Sequence, residues 1–289
     1  MISNYENIIT AICERFQNHI TPLKVVSWLE NFEKVDWNKA LITLNAFEYY
    51  NTKDIIKEFD AHLEEIIEKL PRQSTLYAIP VGKPGKSGLA MIYYLRKTIA
   101  FNKNKVKILE DLASITAQDS IVLVDDFSGS GNTVLDFRNN IRDHLPDNVQ
   151  VSVITVAYLS KAKILLEKNG LKIFGNLRMP AFSKRGSVFG YHPKMQAIRE
   201  FCFKYGNLIY PDGDYNSGKV SINPLGYENS QALIGFEHAT PNNTLPIIWA
   251  DRKRSDTNVA WYPIFPRRSQ AYIQDAINFK KTSAYWSSC

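Results

Sequence analysis

Cysteine is almost missing from this chain: Cys13, Cys202 and Cys289 are the only three in 289 residues. An odd number at such separations excludes a disulfide scaffold and a cysteine-rich zinc site, and points to a reducing, cytoplasmic compartment. Histidine is scarce too, and His19, His62, His144, His192 and His238 form no pair at metal-ligand spacing. No apolar run approaches the roughly 20 residues that cross a bilayer, so no membrane association is expected. The opening segment MISNYENIIT has a Glu and two Asn ahead of its first apolar stretch and lacks the form of a signal peptide. Internal repeats and low-complexity tracts are absent. What remains is an ordinary globular composition, 45% hydrophobic, 22% charged and 12% aromatic. Disorder and fibrous structure are thereby excluded, and one large or two ordinary domains are expected.

Charge of one sign is in slight excess, 35 basic residues against 29 acidic for a net +6. The excess is uneven. Asp251–Cys289 holds seven basic residues (Arg252, Lys253, Arg254, Arg267, Arg268, Lys280, Lys281) against three acidic ones (Asp251, Asp256, Asp275). This tail is either a polyanion contact or a solvated end.

Residues 1–72 read as an N-terminal helical module. Ile8, Ile9, Ile12 and Phe16 recur at helical spacing, as do Ile55, Ile56, Phe59 and Leu63, and the second stripe runs on to Pro71. Residues 73–178 alternate. Strands are expected at 75–81, 106–109, 120–125, 149–157 and 171–174, and helices at 89–100, 133–144 and 161–168. That order predicts an α/β core with a mostly parallel sheet flanked by helices. Ligands of such sheets gather at the carboxyl ends of the strands. Residues 179–289 read as a helix at 193–204, then turn-rich aromatic sequence: an irregular but ordered cap, or hood, ending in the basic tail.

The most informative stretch runs Val122-Leu123-Val124-Asp125-Asp126-Phe127-Ser128-Gly129-Ser130-Gly131-Asn132-Thr133. An apolar strand delivers two adjacent carboxylates, and a loop of small residues turns directly into a helix. Small side chains let backbone N–H groups point inward, and the helix N-terminus adds partial positive charge. The cradle suits a phosphate dianion, with the Ser128, Ser130 and Thr133 hydroxyls as extra donors. The two acids suit vicinal hydroxyls, directly or through Mg2+. Phosphate at one end and a diol nearby describe a ribose 5-phosphate.

This stretch closely resembles the phosphoribosyl-diphosphate signature of type I phosphoribosyltransferases, in which an apolar strand and two acids precede T-G-x-T. Here the element is Ser130-Gly131-Asn132-Thr133, which keeps the first hydroxyl. The resemblance implies that Asp125 and Asp126 are the catalytic acids that hold the ribose hydroxyls, with Mg2+ bound indirectly through the ribose. It gives Ser128, Gly129, Ser130, Gly131, Asn132 and Thr133 to the 5-phosphate. It also makes the loop after the first core strand, with Val81, Gly82, Lys83, Pro84 and Lys86, a pyrophosphate loop. One departure matters: 6-oxopurine enzymes of the family carry an acidic general base where this chain has Gly129.

A second resemblance spans residues 22–249. WLENF…WNKALITLNAFEYY, VDDFSGSGNT and GYENSQALIGFEHATPNNTLPIIW together look like the PRTase-CE group, phosphoribosyltransferase-like proteins of bacterial conflict systems, some encoded beside retron-type reverse transcriptases. The implied function is a Mg2+-dependent antiphage effector that binds phosphoribosyl diphosphate or a nucleotide and makes or breaks a bond at ribose C1. Partners would come from a defence cassette, including a reverse transcriptase with its RNA or DNA, or from a second copy of the chain. In that group the TPNNTLP element contributes to the site from the cap. Asn242 and Asn243 would then read a base edge, since amides offer donor and acceptor together.

Two other readings stand beside this one. The fold can serve as a catalytically silent ligand sensor or assembly subunit. Gly129 is compatible with that, as is a tail in which Trp261, Tyr262, Phe265, Tyr272, Phe279, Tyr285 and Trp286 interleave with basic residues able to meet nucleic acid. A P-loop NTPase is the third reading: Pro80–Ser87 nearly spells the phosphate loop, but Pro80 occupies its first glycine and the Ser128–Thr133 turn is left without a purpose.

Overall fold

Val122, with its neighbours Ser120–Val124 (β4), lies in the interior of an all-parallel sheet, and every residue of that strand is buried. The computed structural model describes residues 5–71, 73–82, 87–104, 106–211 and 222–267. Their contacts divide the chain into two units, one of residues 51–179 and one of residues 1–50 with 180–289. This differs from the linear three-part division expected above. Among the described residues, those up to Tyr50 fold with those from Pro180 onward, and 51–71 fold with the sheet.

In the sheet unit, β3 (Val106–Ile108), β2 (Leu76–Pro80), β4, β6 (Gln150–Leu159) and β7 (Lys172–Arg178) lie side by side, and β5 (Phe127–Ser128) pairs with the far end of β6. All five pairings are parallel, as a β-α-β alternation demands. One face, through Ile79, Ile121, Leu123, Val153 and Ile173, packs on Val134 and Ile141 of α7 (Asn132–Arg142) and Ala162 and Leu166 of α8 (Ser160–Lys168). The other layer is α4 (Thr52–Ile67), lying on β6 and β7, and α5 (Ser87–Leu95), lying on β2 and β4. Between α5 and β3 comes the one short helix α6 (Ile99–Lys103).

The start of α4 is written into its sequence. Asn51 Oδ1 accepts from the N–H groups of Lys53 (2.8 Å) and Asp54 (3.0 Å), and Asp54 returns a bond to the Asn51 N–H. Such a reciprocal cap stabilises by about 1 kcal/mol. The buried stripe Ile55, Phe59, Leu63 and Ile66 then commits the helix to the sheet.

In the other unit, α1 (Glu6–Arg15), α2 (Pro22–Leu29) and α3 (Trp37–Ala46) share a core with the long α9 (His192–Ile209) and α10 (Pro246–Trp249). A strand that helical periodicity did not predict, β1 (Glu48–Tyr50), pairs in parallel with β10 (Ile234–Phe236). The hairpin of β8 (Ile222–Asn223) and β9 (Gly226–Tyr227) completes the unit. Aromatic anchors explain why the two ends of the chain need each other. The Trp28 and Trp261 indoles both donate to the Ile247 carbonyl, at 2.8 and 3.2 Å. Phe32 sits edge-on to Trp28, Tyr205 and Trp261.

Candidate functional site

Two strand ends bring the predicted loops together. Val81 continues β2 by donating its N–H to the Val124 carbonyl at 2.9 Å. Gly82 then turns with φ 97°, a left-handed conformation natural to glycine. Where the chain is next described, α5 begins, and its Gly88 lies flat against both strands: a Cβ there would stand 2.4 Å from the Val81 oxygen and 3.2 Å from the Val124 oxygen. That approach sets Ser87 beside the acid pair. Its Oγ donates to Asp125 Oδ1 at 3.1 Å.

Asp125 and Asp126 are each only 8% exposed. Asp125 Oδ1 also accepts from the Asp126 N–H at 3.0 Å, and Asp126 Oδ1 from the Phe127 N–H at 2.8 Å. Their backbones are tied to β6, Asp125 N–H to the Ile154 carbonyl and Val156 N–H to the Asp126 carbonyl, both at 3.1 Å. Burial, reinforced by the neighbouring Asp126 charge, pushes the Asp125 carboxyl well above the usual carboxylate range. Two buried carboxylates side by side call for hydroxyl donors or a cation.

Immediately after them the chain makes the small-residue turn. Phe127 and Ser128 pair with Ala157 and Tyr158. Gly129 is buried, and Ser130 Oγ accepts from the Asn132 N–H at 3.4 Å. Gly131 caps α7 with φ 87°, pressed on α8 so that a Cβ would lie 3.3 Å from Ala162 Cα, Ala162 O and Leu166 Cγ. The first turn of an α-helix such as α7 points N–H groups outward along its axis, which is the usual reason that a helix start takes an anion. Asn132 and Thr133 are exposed, and Ser128 is buried.

One end of the sheet unit thus collects Val81, Gly82, Asp125, Asp126, Ser128, Gly129, Ser130, Gly131, Asn132 and Thr133. Lys83, Pro84 and Lys86 lie outside the described residues, as do Arg268, Lys280 and Lys281 of the basic tail. Asn242 and Asn243 belong to the other unit. Asn243 has a local duty there. Its carbonyl accepts from Ser230 Oγ (2.9 Å) and the Ala232 N–H (3.1 Å), and its amide donates to Ser230 Oγ at 3.3 Å. The Asn242 carbonyl accepts from the Tyr227 N–H at 2.9 Å.

Ser87 is the site residue that sequence reasoning left without a role. Its signal was there, a serine opening a helix directly behind a glycine-rich loop. Among the described residues no three His, Cys, Asp or Glu side chains gather to hold a metal. The acid pair therefore fits Mg2+ only in the manner usual for that ion, with ligand oxygens and waters completing its shell. A cleft of about 530 Å³ opens elsewhere, beside β3, between Tyr77, Arg96, Phe101 and Lys107.

A family model described as PRTase-CE matches residues 25–267. No curated protein matches the chain. Among solved structures, an orotate phosphoribosyltransferase from Aeropyrum pernix is similar at 17% identity over 42% of this chain and 68% of its own, with a TM-score of 0.29. A hypoxanthine-guanine phosphoribosyltransferase from Bacillus anthracis is similar at 15% identity over 44% and 77%, TM-score 0.31. The orotate phosphoribosyltransferase of Mycobacterium tuberculosis, in complex with 5-phospho-alpha-D-ribosyl 1-diphosphate, is similar at 12% identity over 50% and 80%, TM-score 0.30.

Proposed function

The chain belongs to the PRTase-CE family, and on that premise we propose that it binds phosphoribosyl diphosphate or a nucleotide and makes or breaks a bond at ribose C1. The observation that carries the reading is the buried Asp125–Asp126 pair, held by Ser87 and followed at once by the glycine turn into α7. In this reading the carboxylates receive the ribose 2- and 3-hydroxyls. The Ser128–Thr133 turn and the first amides of α7 take the 5-phosphate, and Val81 and Gly82 with Lys83, Pro84 and Lys86 take the pyrophosphate. Mg2+, when bound, would neutralise charge on the polyphosphate. The residues' contribution is then positioning and electrostatics around a C1 centre that becomes cationic as its bond lengthens. Asn242 and Asn243, which the family resemblance assigns to a base edge, are the residues to substitute when that role is tested.

Family membership also supports a place in a bacterial defence system, as a cytoplasmic effector held in check by a partner encoded with it. Among the described residues no helix is long and apolar enough to cross a membrane. The test of the chemistry is incubation of the pure chain and of Asp125→Asn/Asp126→Asn with Mg2+ and phosphoribosyl diphosphate or nucleotides labelled at C1. New C1 products from the wild type alone support the reading. A metabolite profile of cells expressing each form extends the test to the effector role. A second reading, a silent sensor of the same ligand, is favoured by one feature: Gly129 puts no side chain at the position of the purine general base. Tight binding without turnover would select it.

A further inference from the structure

Behind Asp126 the sheet is irregular. Ile154 of β6 lies opposite Phe174 of β7, and Ala157 opposite Asn176, so Thr155 and Val156 together face Gly175. Two residues against one make a β-bulge, which bends a strand and redirects its polar groups. Glycine is required opposite the bulge. Gly175 has φ 149°, and a Cβ would stand 2.5 Å from the Thr155 carbonyl oxygen and 2.8 Å from its hydroxyl. The bulge also touches the acid pair, because Val156 donates its N–H to the Asp126 carbonyl at 3.1 Å. On the other side of the same peptide stretch, the Asn176 amide nitrogen donates both its hydrogens. One goes to the Val156 carbonyl at 3.0 Å and one to Glu58 Oε2 of α4 at 2.7 Å.

We propose that Asn176, anchored by Glu58, is a positioning residue that holds the β6 bulge in shape and thereby aims Asp126 at the ligand, an inference that rests on the ribose-phosphate reading. The chemistry is specific to an amide. A displaced strand carbonyl needs a donor from outside the ladder. The Glu58 carboxylate, which only accepts while ionised, fixes which end of the Asn176 amide carries the hydrogens. Asn176 thus joins Glu58 to the carbonyl of Val156, the residue whose N–H, on the preceding peptide group, is held by the Asp126 carbonyl.

The experiment compares Glu58→Gln, Glu58→Ala, Asn176→Ala and the double alanine variant in the full chain. Affinity for ribose 5-phosphate with Mg2+ is read by calorimetry, and exchange of the Val156 amide hydrogen is read without ligand. Glutamine still offers Asn176 an acceptor oxygen, so Glu58→Gln should stay near wild type in both. Glu58→Ala and Asn176→Ala should each weaken binding about tenfold, the size expected when a hydrogen bond to a charged group is lost. The double variant should be no worse than the weaker single one, because the two act in series. Both alanine variants should also exchange Val156 faster. Unchanged affinity in Asn176→Ala, or Glu58→Gln as damaging as Glu58→Ala, overturns the proposal. If Asn176→Ala does not fold, the two Glu58 variants decide. If the wild type binds no ribose phosphate, the parent reading fails separately, and the exchange data alone judge Asn176: unaltered Val156 exchange overturns its role.

Discussion

Ser87 Oγ donates to Asp125 Oδ1 at 3.1 Å although the two residues stand 38 apart in the chain. The contact joins the start of α5, just after the proposed pyrophosphate loop, to the proposed ribose acids. It exists because Gly88 lets the helix lie against the ends of β2 and β4.

Ser87→Ala should therefore weaken ribose 5-phosphate binding by roughly 10-fold, the effect of removing one hydrogen bond to a charged group. The thermal midpoint should move little, since a half-buried serine is replaced by a good helix former. Calorimetry and a melting curve check both halves. Wild-type affinity would show that the hydroxyl plays no part in the site.

Asp125→Asn should stabilise the unliganded fold while weakening the ligand. The native state holds the Asp125 proton more tightly than the unfolded chain does, so this group's contribution to stability is fully present at low pH. It is lost as pH rises above the ordinary carboxylate range and through the raised native value. At neutral pH the asparagine variant should melt above the wild type, a trade common at binding sites. Its stability should also fall less steeply than wild type with rising pH, as denaturant titrations across that range would reveal.

Gly131→Ala should damage both stability and binding. The left-handed φ of 87° and the 3.3 Å approach to Ala162 and Leu166 leave a methyl group badly placed. A cost of about 1–3 kcal/mol in denaturant unfolding is expected, together with loss of phosphate affinity. A neutral Gly131→Ala would mean that the turn is looser than its geometry.

Asn242→Ala and Asn243→Ala should separate. The Asn243 side-chain amide donates to Ser230 Oγ, so its loss should lower stability by about 1 kcal/mol. Asn242→Ala should leave the melting midpoint nearly unchanged. Equal losses of midpoint in the two variants would contradict this assignment.

Cys202 is buried, and burial pushes its thiol up to about 12. It should resist alkylation in the native protein at pH 8 and react only as the unit containing α9 opens. Mass spectrometry of alkylated protein along a denaturant series reads this directly. Rapid labelling without denaturant would contradict it.

The parts of the fold that the sequence showed most clearly are those governed by local chemistry. Ser120–Val124 reads as a doubly buried strand because nothing polar interrupts it, and Ser128–Thr133 reads as a turn into a helix because small residues alone permit it. The helix at 52–67 announces itself by periodicity, while the one expected at 193–204 runs on to Ile209. What was hidden depended on distant partners. Glu48–Tyr50 is three residues between two helices, and its pairing with Ile234–Phe236 leaves no local pattern. Trp28 and Trp261 meet at one carbonyl, which no spacing rule encodes. The bulge opposite Gly175 is equally invisible, because its cause is a tertiary register shift. At the candidate site, the adjacent acids and the small-residue turn into α7 were legible as a strand end and a helix start, while the Ser87 contact was not. Its role comes from a backbone approach at Gly88 that only the folded chain shows.

The most direct test of the central claim is calorimetric titration of the full chain with ribose 5-phosphate and with phosphoribosyl diphosphate, each in the presence of Mg2+. The wild type should bind both, the diphosphate more tightly, and Asp125→Asn/Asp126→Asn should lose at least tenfold in affinity for each while melting no earlier. Absence of heat for both ligands in the wild type, or equal binding by the double variant, would contradict the assignment of the acid pair and its glycine turn to a ribose phosphate.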